Sequence, residues 1–172
     1  QPTRDPSMSN KPIVFLDIDG VLNSYSWWAR RTTMDFPYRE FDPACLSRLS
    51  DLVEHVDAEI VISSSWRKPD TPEESKGELM TLFADVCRYW AISDNVSQRI
   101  ADVTPKLDAD RGIEIRHYLS EQPTAREYVI LDDQDDFFPN QPLVQTDSRI
   151  GLSFSDSLKA LAILNATDSQ SR

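Results

Sequence analysis

The chain reads as an α/β protein, a three-layer sandwich in which a mainly parallel sheet lies between helices. Two observations predict it. Short apolar runs alternate with segments of helical periodicity along the 172 residues, the pattern of parallel strands joined by helical crossovers. Three of those runs end directly in polar clusters, Asp17-Ile18-Asp19, Ser63-Ser64-Ser65-Trp66 and Asp132-Asp133-Gln134-Asp135-Asp136. In such sheets ligands sit beyond the carboxyl ends of the strands, so three separate strands would deliver chemistry to one edge.

The first strand is Ile13-Val14-Phe15-Leu16, with Pro12 before it and Gly20 soon after; a run this apolar is buried on both faces. The stretch 23–40 reads as irregular and aromatic, with Trp27, Trp28, Phe36 and Tyr38 among Arg30, Arg31 and Arg39. Asp42-Pro43 supplies an N-cap and a proline at the first helical position, and Leu46, Leu49, Val53 and Val56 line one face of that helix. Ile60-Val61-Ile62 is a second buried strand. Thr71-Pro72-Glu73-Glu74 is a capping box, opening a helix that turns Leu79, Phe83, Val86 and Trp90 inward. Residues 87–93 fit either the end of that helix or a short edge strand, and 94–109 reads as loop with one helical turn. A helix over 112–120 precedes a third clear strand, Tyr128-Val129-Ile130-Leu131; a strand over 143–146 and a closing helix over 155–164 complete the pattern.

Composition narrows the function. A hydrophobic fraction of 40% and a charged fraction of 27% suit one globular domain, expected over 11–166. Residues 1–10 are expected to be a disordered or vector-derived leader, with Met8 a candidate start, and 167–172 a polar tail. A formal net charge of -11 argues against a broad phosphate-backbone footprint, which needs clustered Lys and Arg; a local basic pocket for one nucleic-acid end is compatible with it. Cys45 and Cys87 stand without disulfide or CxxC spacing, which fits a reducing cytoplasm. No apolar run reaches membrane-spanning length. His55 and His117 lie at no metal or triad spacing and receive no role.

The first polar cluster is the most informative. Side chains alternate along a strand, so Asp17 and Asp19 leave it pointing the same way. Two carboxylates that close repel each other unless a cation or shared proton compensates them. Mg2+, held by one or two carboxylates together with substrate oxygens, is the usual remedy.

The order of these motifs, DxDG, a strand ending in Ser, a basic residue heading a helix and a strand ending in Asp-Asp, resembles the haloacid dehalogenase (HAD) superfamily over 11–164. More narrowly, FLDIDGVLN, VISSSWR, RGIEIRHYL, YVILDD and LVQTD with GLS after it look like the HAD domains assigned to Swiss Army Knife RNA-repair proteins. The resemblance implies a Rossmann-like, HAD-like fold with minimal or no cap, since 23–40 is too short for a large one. It implies Asp17 as a nucleophile that forms an aspartyl-phosphate and Asp19 as the general acid and base. Ser64 would hold the phosphoryl group, with Ser63 and Ser65 as alternatives. Arg111 would supply the neutralising cation, with Lys106 as competitor. The implied metal residues are Asp17, Asp19 through its carbonyl, Asp133 with Asp132 beside it, and Asp136 as an outer partner.

Trp27, Trp28, Trp66 and Arg67 are candidates for substrate recognition, since aromatic rings stack bases and Arg holds phosphate. The plainer reading puts Trp66 in the core and packs Trp27 and Trp28 under a loop; it is preferred for Trp66, while both readings stay open for Trp27 and Trp28. The expected function is a Mg2+-dependent phosphomonoesterase, with nucleic-acid or nucleotide phosphate ends as candidate substrates. A phosphatase of small metabolites or phosphoproteins is the first alternative, and a catalytically idle binding module the second.

Overall fold

The computed structural model of the chain describes residues 9–31, 37–67, 71–93 and 95–165. The expected leader, but for its last two residues, and the polar tail lie outside them. At the centre runs β1 (Ile13–Leu16), every residue buried. It pairs in parallel with β2 (Glu59–Ile62) on one side and β4 (Tyr128–Asp132) on the other, Phe15 standing opposite both Val61 and Ile130. Outside them lie β3 (Ile100–Val103) and β5 (Leu143–Gln145), giving an all-parallel sheet of order β3-β2-β1-β4-β5.

Alternation along β1 divides the core between the two faces. Val14 and Leu16 join Ile60, Ile62, Val129 and Leu131 in the larger cluster. Onto it pack α2 (Pro43–His55), α3 (Pro72–Tyr89), α4 (Asn95–Arg99) and α6 (Phe154–Asn165). Ile13 and Phe15 face the other way, against Ile115 and Tyr118 of α5 (Arg111–Ser120). Phe15 lies edge-on between Tyr118 and Tyr128, at centroid distances of 5.7 and 5.6 Å.

The expected caps are present. Asp42 accepts the Ala44 N–H at 2.9 Å with Pro43 opening α2, and the Thr71–Glu74 capping box opens α3.

Two segments differ from the sequence reading. The stretch 94–109 contains the edge strand β3 as well as the expected helical turn, α4. Ile100-Ala101-Asp102-Val103 follows that turn without a break, carries a charge in its middle, and shifts register against β2 between Ile60 and Val61, so no hydrophobic period betrays it. Residues 87–93 therefore contribute no edge strand, α3 running on to Tyr89. Within the stretch read as irregular lies α1 (Tyr25–Arg31). It buries Trp27, too little for an apolar stripe, and is held from its first turn. The Ser24 hydroxyl accepts the Trp27 N–H at 3.2 Å, and the Tyr25 and Ser26 N–H groups donate to Ser148 O and Arg149 O, each at 3.0 Å.

Candidate active site

The carboxyl ends of the three inner strands bring the polar clusters together. Beyond β1 the Asp17 N–H still donates to Leu131 O at 3.0 Å, and beyond β2 the Ser63 N–H donates to Leu16 O at 2.8 Å. Both residues are thus fixed by the sheet ladder itself. Asp132 is the last residue of β4. The chain leaves β1 through Gly20, whose φ of +79° suits glycine. A Cβ there would stand 2.5 Å from Asp133 Oδ2, so the first and fourth motifs meet because position 20 has no side chain.

Arg111, the first residue of α5, reaches into this cluster. Its Nη1 lies 2.8 Å from Asp17 Oδ2 and 2.7 Å from Asp132 Oδ2, and donates to Ser63 O at 3.1 Å. Lys106 lies exposed on the loop before α5, so of the two candidate cations it is Arg111 that reaches the carboxylates. Burial pushes the Asp17 carboxyl up from its ordinary value, opposed chiefly by Arg111, with smaller pulls from the Ile18 N–H and the Ser64 hydroxyl. Burial and then the Asp17 charge push Asp132 up to about 7, again against Arg111.

Asp17, Asp132 and Asp133 each offer a carboxylate oxygen, all within 4.8 Å of one another. Asp17 Oδ1 is buried and has no hydrogen-bond partner among the described residues. An unbonded anionic oxygen shut off from water is costly, and three hard oxygens around it form a donor set suited to Mg2+. The residues therefore fit the cation that the resemblance implies. Asp19 stands apart from that trio: its Oδ2 accepts the Trp66 indole N–H and its Oδ1 the Asn23 amide, each at 2.9 Å.

These groups open into a cavity of about 240 Å³, with Asp17, Asp19, Arg111 and Asp133 in its lining and Tyr25 and Trp28 at its wall. Tyr25 is 62% exposed and meets Trp28 edge-on at 5.7 Å. Ser64 is fully buried beside Asp17, and Ser63 is buried, its hydroxyl without a partner among the described residues, while Ser65 is exposed.

Three further sequence candidates, Arg67, Trp27 and Asp136, are engaged by the protein itself. Arg67 is 7% exposed. It donates to Ser64 O at 2.6 Å, Thr104 O at 2.9 Å, Pro105 O at 3.1 Å and Glu114 Oε2 at 2.9 Å. It is a buried staple between the second motif and α5. Trp27 is 8% exposed; its indole donates to Arg39 O at 2.8 Å and its ring meets Trp90 edge-on, so it packs beneath α1, away from the cavity. Asp136 is exposed and outside the metal-capable trio. Its Oδ2 accepts the Arg111 N–H at 3.1 Å and its carbonyl the Gly112 N–H at 3.2 Å. Asp110 makes no side-chain cap there, so Asp136 satisfies the otherwise orphaned first turn of α5. Trp66 packs on Phe41 as the plainer reading has it, but its N–H belongs to the site.

Sequence reasoning missed Tyr25, Asn23 and Glu114. Asn23 follows the DxDG run at a fixed offset, a signal available in the sequence; Tyr25 depends on α1 and Glu114 on α5, whose placement no local pattern reveals.

A parallel sheet with this strand order, and a buried Asp, a basic residue and an Asp pair at one edge, are consistent with a HAD-like domain. The chain belongs to the family described as the HAD domain in Swiss Army Knife RNA repair proteins, which matches residues 13–156. Comparison with curated proteins and with solved structures gives no significant match. Membership makes the chain a phosphatase-type hydrolase whose family implies a phosphorylated substrate. Among the described residues no helix is long and apolar enough to cross a membrane.

Proposed function

We propose that this chain is a Mg2+-dependent phosphomonoesterase that works through an aspartyl-phosphate on Asp17, with phosphorylated nucleic-acid or nucleotide ends as substrates, in the cytoplasm. One observation carries the reading: a buried Asp17 oxygen without a partner, beside Arg111 and two further carboxylates, at an open cavity. Asp17, Asp132 and Asp133 would hold the cation, which supplies charge stabilisation to the phosphoryl oxygens.

An Asp17 oxygen bonds to phosphorus as the bond to the leaving oxygen breaks. The departing electron pair stays on that oxygen, which takes a proton from Asp19. Water then attacks phosphorus and gives a proton to Asp19, and the phosphorus–Asp17 bond breaks to release phosphate and restore both groups. Arg111 balances charge on Asp17 and the phosphoryl oxygens. Ser64, with backbone N–H groups near it, anchors the phosphoryl group. Trp28 and Tyr25 offer faces to a base beyond it. The domain is proposed to extend over 11–166.

The test is hydrolysis of p-nitrophenyl phosphate with Mg2+, its loss in EDTA and its loss in Asp17→Asn. A panel of 3′- and 5′-phosphorylated oligonucleotides, nucleotides and small phosphorylated metabolites then separates the substrate classes. An Asp17→Asn protein as active as the wild type would overturn the reading.

A further inference from the structure

Asp19 is gripped at both oxygens by groups that are themselves fixed. Asn23 is 1% exposed, and the Gly20 N–H donates to its Oδ1 at 2.9 Å. A backbone N–H can only donate, so the amide nitrogen of Asn23 is the atom that faces Asp19 Oδ1. On the other side the Trp66 indole rests on Phe41, ring centroids 5.3 Å apart, at the edge of the larger core cluster. Its Nε1–H, a donor that cannot accept, points at Asp19 Oδ2 at 2.9 Å. The backbone N–H of Trp66 donates to the Ser64 hydroxyl at 3.2 Å. One short turn after β2 thus sets a group beside Asp17 and a second group on Asp19.

We infer that Trp66, assisted by Asn23, is a positioning residue for the proton transfer: its indole N–H holds the Asp19 carboxyl where it meets the leaving oxygen. The inference rests on the phosphatase reading above. Each carboxyl oxygen has two lone pairs, so either can carry the transferable proton while keeping its donor. An aspartate beyond a strand end otherwise explores several rotamers, and a misplacement of about 1 Å can lower a rate on the order of 100-fold.

The consequence depends on the leaving group. When Asp17 takes the phosphoryl group, a nitrophenolate departs as a stable anion without a proton, whereas an alkoxide must receive one from Asp19. A misplaced Asp19 therefore slows alkyl phosphates and spares aryl ones. A purely structural role for Trp66 would slow both alike.

The test compares wild type, Trp66→Phe, which keeps an aromatic ring and removes the N–H, and Asp17→Asn as the reference for the reaction itself. The quantity is kcat/KM, which covers the chain of events up to phosphoryl transfer. It is measured on p-nitrophenyl phosphate and on the alkyl phosphate of the panel that wild type turns over fastest. General acid catalysis contributes roughly 100- to 10,000-fold, so a loss of about 30-fold is expected on the alkyl phosphate and less than about threefold on the aryl one. Should Trp66→Phe lose its near-UV circular dichroism, site-specific replacement of Trp66 by its benzothienyl analogue, with sulfur in place of N–H, decides the matter. Equal losses on both substrates in a folded variant overturn the inference while leaving the phosphatase reading intact. A wild type inactive on every phosphate, or an unimpaired Asp17→Asn, overturns the reading and the inference with it.

Discussion

Asp17 gives one carboxylate oxygen to Arg111 and keeps the other buried, without a hydrogen bond from the described residues. Removal of the charge by Asp17→Asn should abolish turnover, with the fold retained, as circular dichroism would report. Its neighbour Asp132 makes stability depend on pH. Burial raises that carboxyl from 3.8 to about 7, so between those values the folded chain holds a proton that the unfolded chain has released. Unfolding free energy should therefore fall as pH rises through that window in EDTA and then level off. Asp17, shifted the same way, titrates with it as a pair. Urea midpoints in Asp132→Asn should show a flatter profile, and an unchanged slope would refute the assignment. With Mg2+ present the wild type should gain stability most at the upper end, where the carboxylates are charged, and Asp133→Asn should lose that gain. At 100 times the dissociation constant the gain is about 2.7 kcal/mol, readable as a shift in Tm.

At the scale of elements, the turn after β2 and the helix α5 form one unit. Arg67 ties Ser64 O to Glu114, and Glu114 also accepts the Leu107 N–H at 2.8 Å. The start of α5, which carries Arg111, is thereby locked to the turn that carries Ser64 and Trp66. Replacing Arg67 by Met strands a buried Glu114 and should destabilise by roughly 3–5 kcal/mol, against about 1 kcal/mol for Thr71→Ala at the capping box of α3; chemical denaturation would rank them. Gly112 shows the same tight joint from the other side, since a Cβ there would stand 2.6 Å from Gln141 Oε1 and 3.0 Å from Phe137 Cα. These joints explain what the sequence could and could not disclose. Asp17 and Asp132 were legible because apolar, doubly buried strands announce where they end. β3 and α1 carry too few apolar residues to show a period. Arg67, next to Trp66 in a polar motif, reads as a phosphate ligand until the position of Glu114, 47 residues away, is known.

At the scale of the molecule, a formal net charge of -11 surrounds a site whose cation, Arg111, is already engaged by two carboxylates. A nucleic-acid end would be gripped at its terminal phosphate and base, with little help along the backbone. The slope of log affinity against log salt steepens by about 0.7 per phosphate contact on single strands, so with one or two contacts kcat/KM for a phosphorylated oligonucleotide should drop less than about tenfold between 50 and 200 mM salt. A fall of a thousandfold would point to a basic track instead.

The Asp17 amide hydrogen lies one residue past the central strand β1, bonded to Leu131 O, and the strand before it is buried throughout. Such protons leave for solvent only when the whole molecule opens. In deuterium exchange the slowest position should therefore adjoin the carboxylate proposed as nucleophile, and loss of turnover during denaturation should track global unfolding, not precede it. On the proposed role of Asp17, the reacting carboxylate would thus belong to the last part of the molecule to come undone.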